Sequence, residues 1–154
     1  MQHRMNYPKA APEAFKAMMG VEAYLHQCGL EPSLLHMLKL RASQINGCAY
    51  CIDMHWQDCR AAGESEQRLY ALDAWRESPF YTDRERAALA WCDALTHVAR
   101  THAPDEDFAA VRAHFDDKQL ADLTWVIAAI NAWNRMAIAF RAVPGKYRPP
   151  TTKV

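Results

Sequence analysis

Cys48, Cys51 and His55 stand at spacings that suit thiol chemistry. They lie in the run Asn46-Gly47-Cys48-Ala49-Tyr50-Cys51-Ile52-Asp53-Met54-His55, which opens on an Asn-Gly turn and continues in a helical polar/apolar pattern. A helix starting near Cys48 puts that cysteine in its first turn, where free backbone N–H groups and the helix dipole favour a thiolate. Cys51 and His55 are then related as i and i+4, so the imidazole can exchange a proton with the thiol. On such a helix Cys48, Cys51, His55 and Cys59 share a stripe roughly 80° wide. Cys48 and Cys51, at i and i+3, can close a disulfide. Cys59 lies two turns past Cys51, about 12 Å along the axis, and cannot bond to it within the helix. The pattern reads as a reactive dithiol that cycles to a disulfide, the signature of a thiol-based redox enzyme.

Two other readings use the same residues. The cysteines could be small buried hydrophobes. Alternatively, Cys48, Cys51 and His55 with the more distant His36 could form a Cys₂His₂ zinc set, making the chain a non-enzymatic metal-binding or redox-sensing protein. A c-type haem is excluded because Ile52, not histidine, follows Cys51. His36 belongs to the preceding helix, and a helical hairpin would bring it beside the dithiol. His26, His97, His102 and His114 fall on polar faces or near helix ends and call for no special role. Asn131, Asn134 and Arg135 form an i, i+3, i+4 polar patch in an apolar helix, which reads as a buried hydrogen-bond network or a subunit contact. Trp56, Trp75, Trp91, Trp125 and Trp133 read as core or interface anchors, and Cys28, Cys59 and Cys92 as inert thiols.

The elements that must hold these residues are helices. The punctuation predicts a first helix over Pro12 to Gln27, with Phe15, Met18, Met19 and Leu25 facing inward and Gly29 near its end. A second begins at Pro32 and carries Leu34, Leu35, Leu38 and Leu40 towards Gln44. Gly47 separates it from the motif helix, which runs to about Ala62 and stops at Gly63. A short helix over Ser65 to Trp75 follows. Thr82-Asp83-Arg84-Glu85 reads as a capping box opening a helix to about Ala99, with Leu89, Cys92 and Leu95 on one side. Asp105 to Phe115 forms another, with Phe108, Val111 and Phe115 at helical spacing. Asp117 opens a long helix to about Arg141, ended by Pro144-Gly145. The polar tail beyond Gly145 is expected to lie along a neighbour or to be loose. Strand alternation and hairpin turns are absent, so the fold class is all-α.

With 154 residues, 51% of them hydrophobic, the chain suits one domain over residues 1–154. Eighteen basic residues balance eighteen acidic ones, leaving no basic excess to hold nucleic acid. The longest apolar region, Leu123 to Ala139, is broken by Asn131, Asn134 and Arg135, which argues against a membrane span. Five cysteines make an odd, irregular set unlike a secreted disulfide scaffold, and the N-terminus has no charged-then-apolar leader pattern, so the cytoplasm is the expected location. No nicotinamide or flavin fingerprint is present, so no cofactor is expected and electrons must come from another protein or a small thiol.

The run Leu40 to His55 resembles the core of the alkylhydroperoxidase-D-like proteins of the carboxymuconolactone decarboxylase superfamily. The likeness extends through Gly63 to Tyr70, Trp75 to Ser78 and Arg84 to Leu89, and returns at Ile130-Asn131-Ala132-Trp133-Asn134-Arg135. The resemblance implies an all-helical fold assembled as homotrimers or homohexamers, with peroxidase or disulfide-reductase activity at the two motif cysteines. By position, Cys51 matches the buried cysteine whose proton passes through the motif histidine, here His55. Cys48 matches the more accessible partner. His36 stands where well-known members carry a relay glutamate, and Tyr50 where some carry a histidine; at His36 the relay keeps a proton carrier but loses a negative charge. The implied cycle has Cys51 attack a hydroperoxide, Cys48 close the disulfide, and a dithiol of lipoyl or thioredoxin-like type reduce it.

Overall fold

Helix α3 (Pro32–Asn46) is buried along most of its length, and the other helices pack around it. The computed structural model describes residues 2–149. Within it α4 (Ala49–Ala61), α6 (Asp83–Thr96) and the long α9 (Asp117–Phe140) all pack on α3. Leu34, Leu35, Met37, Leu38, Leu40 and Ala42 are buried among them. Helix α2 (Pro12–Leu25) lies along α9, and α8 (Asp105–Arg112) covers α6. Two single-turn helices, α1 (Tyr7–Ala10) and α7 (Val98–Thr101), complete the set with α5 (Glu66–Tyr70), which runs into a 3₁₀ turn at Leu72–Ala74. The described residues contain no strand, and none of their helices is long and apolar enough to cross a membrane.

The helix boundaries follow their caps. The capping box of Thr82 and Glu85 forms at the start of α6, and Asp116 with Gln119 makes a second one before α9. Each N-cap side chain stabilises its helix by about 1 kcal/mol. Three expectations are corrected. The segment Ser65 to Trp75 is two short pieces rather than one helix, because the chain tightens into the 3₁₀ turn after Tyr70. Helix α6 stops at Thr96 instead of Ala99, and α7 follows as a separate turn. Helix α8 ends at Arg112, so Phe115, though buried, lies beyond it, while Phe108 is exposed.

Charges inside the bundle are paired. Lys39, on the buried helix, donates to Glu22 of α2 at 2.6 Å, and the Trp133 indole donates to the same carboxylate at 2.8 Å. Arg41 holds Asp93 through Nε at 2.7 Å and reaches Asp73, also at 2.7 Å. The polar patch on α9 is a hydrogen-bond network. Asn46 donates to Asn131 (3.0 Å) and Asn134 (2.8 Å), Asn134 to Ser43 (3.0 Å), and Asn131 to Thr96 (3.1 Å). It ties the end of α3, just before the motif turn, to α9.

Candidate functional site

The turn that delivers the dithiol is built from the end of α3. Gly47 sits at φ +67°, in the left-handed region that glycine enters without steric cost. Its N–H donates to Gln44 O at 3.1 Å and that of Cys48 to Ser43 O at 3.0 Å, a Schellman closure. Cys48 is therefore not in the first turn of α4, as expected from the sequence, but is its N-cap, in extended conformation. The Schellman closure consumes one more residue before helical geometry begins. Cys48 Sγ accepts from the Cys51 N–H at 3.4 Å, and the two sulfurs are joined in a disulfide across a Cα–Cα distance of 5.4 Å. While the two sulfurs are joined they offer no thiolate to a metal.

Cys51 faces a cavity of about 600 Å³. Part of its lining is apolar and aromatic, with Tyr7, Phe15, Met54 and Trp133. Its polar lining includes His36, Lys39, His55, Asp58 and Tyr147. Phe15 meets Trp133 edge-on, with centroids 5.7 Å apart. Met19, expected in the core, is exposed and borders this cavity, because that face of α2 looks into the opening rather than onto a neighbouring helix. His26, given no role from the sequence, also lines it. The accessibility expected of Cys48 is not seen. Both cysteines are buried, at 2% exposure for Cys48 and 1% for Cys51, and Cys51 is the one on the cavity wall.

Asp58 organises the polar wall. Its Oδ2 lies 3.2 Å from Nδ1 of His55, one turn earlier on α4, and 3.9 Å from Nδ1 of His36 on α3. Its Oδ1 accepts from the Tyr147 hydroxyl at 2.6 Å. Tyr147 arrives on the tail after α9, which is pinned to α4 by the Gly145 N–H donating to Asp53 at 2.8 Å. The tail as far as residue 149 thus lies on its own α4; residues 150–154 fall outside the described part. A carboxylate only accepts, so His55 carries its proton on Nδ1 and leaves Nε2 as a lone-pair base. That Nε2 is buried and has no hydrogen-bond partner among the described residues, and neither has Nδ1 of His36.

Burial sets the charge states. It lowers the pKa of His55 despite the opposing hydrogen bond to Asp58, and it takes His36 down to about 4 despite the attraction of Asp58. Both rings are neutral near pH 7. Burial alone would raise the Asp58 carboxyl, but hydrogen bonds from His55 and Tyr147 outweigh it and hold it below its ordinary value. The site is an anionic carboxylate serving two neutral imidazoles. By contrast, burial pushes the Cys59 and Cys92 thiols up to about 12, so neither is a thiolate.

The four residues expected from the sequence fall into one neighbourhood: His36 and His55 meet at Asp58, and Cys51, bonded to Cys48, borders the same cavity. Sequence reasoning missed Asp58 and Tyr147. The spacing His55-x-x-Asp58 was readable as i, i+3 on the motif helix. Tyr147 lies 89 positions from Asp58, and no local signal announces their contact.

The fold has its counterpart among known proteins. The chain belongs to the carboxymuconolactone decarboxylase family, whose model matches residues 11–94, and within that superfamily it is alkylhydroperoxidase-D-like. Uncharacterized protein YdfG of Bacillus subtilis (strain 168) is 45% identical over 139 residues, covering 90% of this chain and 95% of its own. The crystal structure of ATU0492 from Agrobacterium tumefaciens, a protein of unknown function considered for antioxidant defence as AhpD, superposes with a TM-score of 0.91 at 51% identity, covering 95% of this chain and 100% of that one. An uncharacterized peroxidase-related protein from Ralstonia eutropha JMP134, with an alkylhydroperoxidase AhpD core, shares the fold at a TM-score of 0.80 and 22% identity, over 91% of this chain and 75% of that one.

Proposed function

We propose that this protein is a thiol-dependent peroxidase and disulfide reductase of peroxiredoxin-like chemistry, acting on alkyl hydroperoxides. The observation that carries the reading is a Cys51 sulfur on a cavity wall beside a neutral His55, whose Nδ1 is tied to Asp58 and whose Nε2 is free to take a proton. In the reduced protein His55 accepts the Cys51 proton. The thiolate attacks the terminal peroxide oxygen, the O–O bond breaks, and Cys51 becomes a sulfenic acid as an alkoxide leaves and takes up a proton. The Cys48 thiol then displaces hydroxide from that sulfur, giving the Cys48–Cys51 disulfide and water. An external dithiol, on a small molecule or on a lipoyl- or thioredoxin-like protein, reduces the disulfide by exchange and returns both cysteines to thiols. The candidate antioxidant role of ATU0492 agrees with this cycle, and a cytoplasmic setting would supply the reductant. The aromatic wall favours a hydroperoxide with an apolar body over hydrogen peroxide.

We also propose that the chain works as a homotrimer or homohexamer. Trp125, Met136 and Ile138 of α9 and Phe108 of α8 are exposed, and burying them between copies would remove a large apolar area from water. Light scattering at micromolar concentration checks this, and a mass near 17.6 kDa contradicts it. The activity is tested by turnover with a panel of peroxides and dithiol reductants. Cumene hydroperoxide is expected to be consumed at the expense of the dithiol. Full turnover in Cys51→Ser would contradict the mechanism.

A further inference from the structure

The arrangement around Asp58 has a second chemical use. His36, His55 and Asp58 each present one donor atom, and the three lie within 4.8 Å of one another. They come from two helices that pack directly together, α3 for His36 and α4 for the other two. Four-coordinate zinc holds nitrogen and oxygen donors at about 2.0–2.2 Å, which spaces them about 3.3 Å apart. The observed separations of 3.2 Å and 3.9 Å from Asp58 Oδ2 to the two Nδ1 atoms bracket that value. Closing the remaining gap takes a side-chain movement on the order of 1 Å.

We propose that His36, His55 and Asp58 form a binding site for a divalent transition-metal ion of zinc type, independent of the two cysteines. Two observations favour it. Nδ1 of His36 is buried without a hydrogen-bond partner among the described residues, yet it lies 3.9 Å from the carboxylate. A cation between them would satisfy it, whereas the distance is too long for a hydrogen bond. The Tyr147 hydroxyl fixes the other oxygen of Asp58, the kind of outer hydrogen bond that orients a metal-ligating carboxylate. Two imidazoles and one carboxylate leave a position open, and the cavity that borders all three admits water there. Lys39, the nearby ammonium, is bound to Glu22 at 2.6 Å, so its charge is compensated.

The metal would replace the Nδ1 proton of His55. The neutral ring then carries its proton on Nε2 and can no longer accept one from Cys51. Metal binding would therefore silence the dithiol, a consequence that rests on the peroxidase reading; the binding itself does not.

The test adds cobalt(II), a spectroscopic stand-in for zinc, to the full chain with its Cys48–Cys51 disulfide closed. The expected result is one ion per chain, with intense visible d–d bands, no near-ultraviolet thiolate charge transfer, and displacement by zinc. Two hyperfine-shifted, exchangeable imidazole N–H resonances should appear in the wild-type spectrum, a readout that needs no substitution. His36→Ala and Asp58→Asn should each weaken binding about 100-fold or more, and Tyr147→Phe about 10-fold. Absence of stoichiometric binding, a thiolate band, or unchanged affinity in His36→Ala would each overturn the site. A metal-free protein without peroxidase turnover that still binds cobalt in this way would refute the enzyme reading and leave the site standing.

Discussion

Replacing Asp58 by Asn separates the charge of this residue from its shape. The wild-type carboxylate accepts from His55 at 3.2 Å and from Tyr147 at 2.6 Å. Hydrogen bonds to a charged group contribute about 1.5–3 kcal/mol each. An asparagine oxygen can keep one of them in weaker, neutral form, while its NH₂ faces the other donor. The net loss of stability should be about 1–3 kcal/mol. For a chain of this length that lowers Tm by about 2–4 °C per kcal/mol. The chemical effect should be larger. With an amide group beside it, His55 can turn its proton to Nε2 and lose its role as base, and general-base catalysis contributes about 10²–10⁴-fold. The assay is the pH dependence of Cys51 alkylation in the reduced, chelator-treated protein, followed by peroxide turnover on the same sample. The expected result is slower alkylation near neutral pH, turnover down by about two orders of magnitude or more, and circular dichroism at low temperature that matches the wild type. Wild-type alkylation and turnover in a folded Asp58→Asn variant would refute the claim that this carboxylate sets the tautomer of His55.

Three other outcomes follow from the packing. Arg41→Ala removes the closest charge partner of Asp93 and leaves it Arg76 at 3.6 Å and the Trp75 indole at 3.2 Å, so unfolding free energy in urea should fall by about 1.5–3 kcal/mol. Gly47→Ala meets no atom within 4 Å, but its positive φ strains any side-chain-bearing residue, so stability should fall by about 1 kcal/mol with only a small change in structure. Burial alone would raise the Glu22 carboxyl, yet Lys39 and the hydrogen bond from Trp133 outweigh it and hold the folded pKa low. That contribution is present above the unfolded pKa of about 4.3 and is lost as pH falls through the folded value. The acid limb of the stability–pH curve should therefore flatten in Lys39→Met, as urea titrations below pH 5 would record.

The fold was legible where the chain carries its own punctuation. Pro32, the Thr82 capping box and the turn at Gly47 mark helix boundaries through local backbone chemistry, so they survive in any tertiary context. Local signals failed where a neighbour decides. Met19 has helical spacing with Phe15, but the space it meets is a cavity, and periodicity cannot tell a cavity from a core. Cys48 moved from first turn to N-cap because the Schellman closure takes up a residue. At the site, Cys48, Cys51, His55 and His36 stood out by type and spacing. Asp58 and Tyr147 did not, because their importance comes from a tail that returns across α4 after the longest helix of the chain.

The central claim is that Cys51 attacks peroxide and Cys48 resolves the product. Mass spectrometry with a dimedone-type probe, after one equivalent of hydroperoxide, tests it in paired variants. In Cys48→Ser, Cys51 should oxidise once and carry the probe, because its sulfur borders the cavity beside His55. In Cys51→Ser neither labelling nor turnover should appear. Sulfenate trapped on Cys48 in Cys51→Ser, with none on Cys51 in Cys48→Ser, would reverse the two roles, and labelling in neither variant would contradict the peroxidase account altogether.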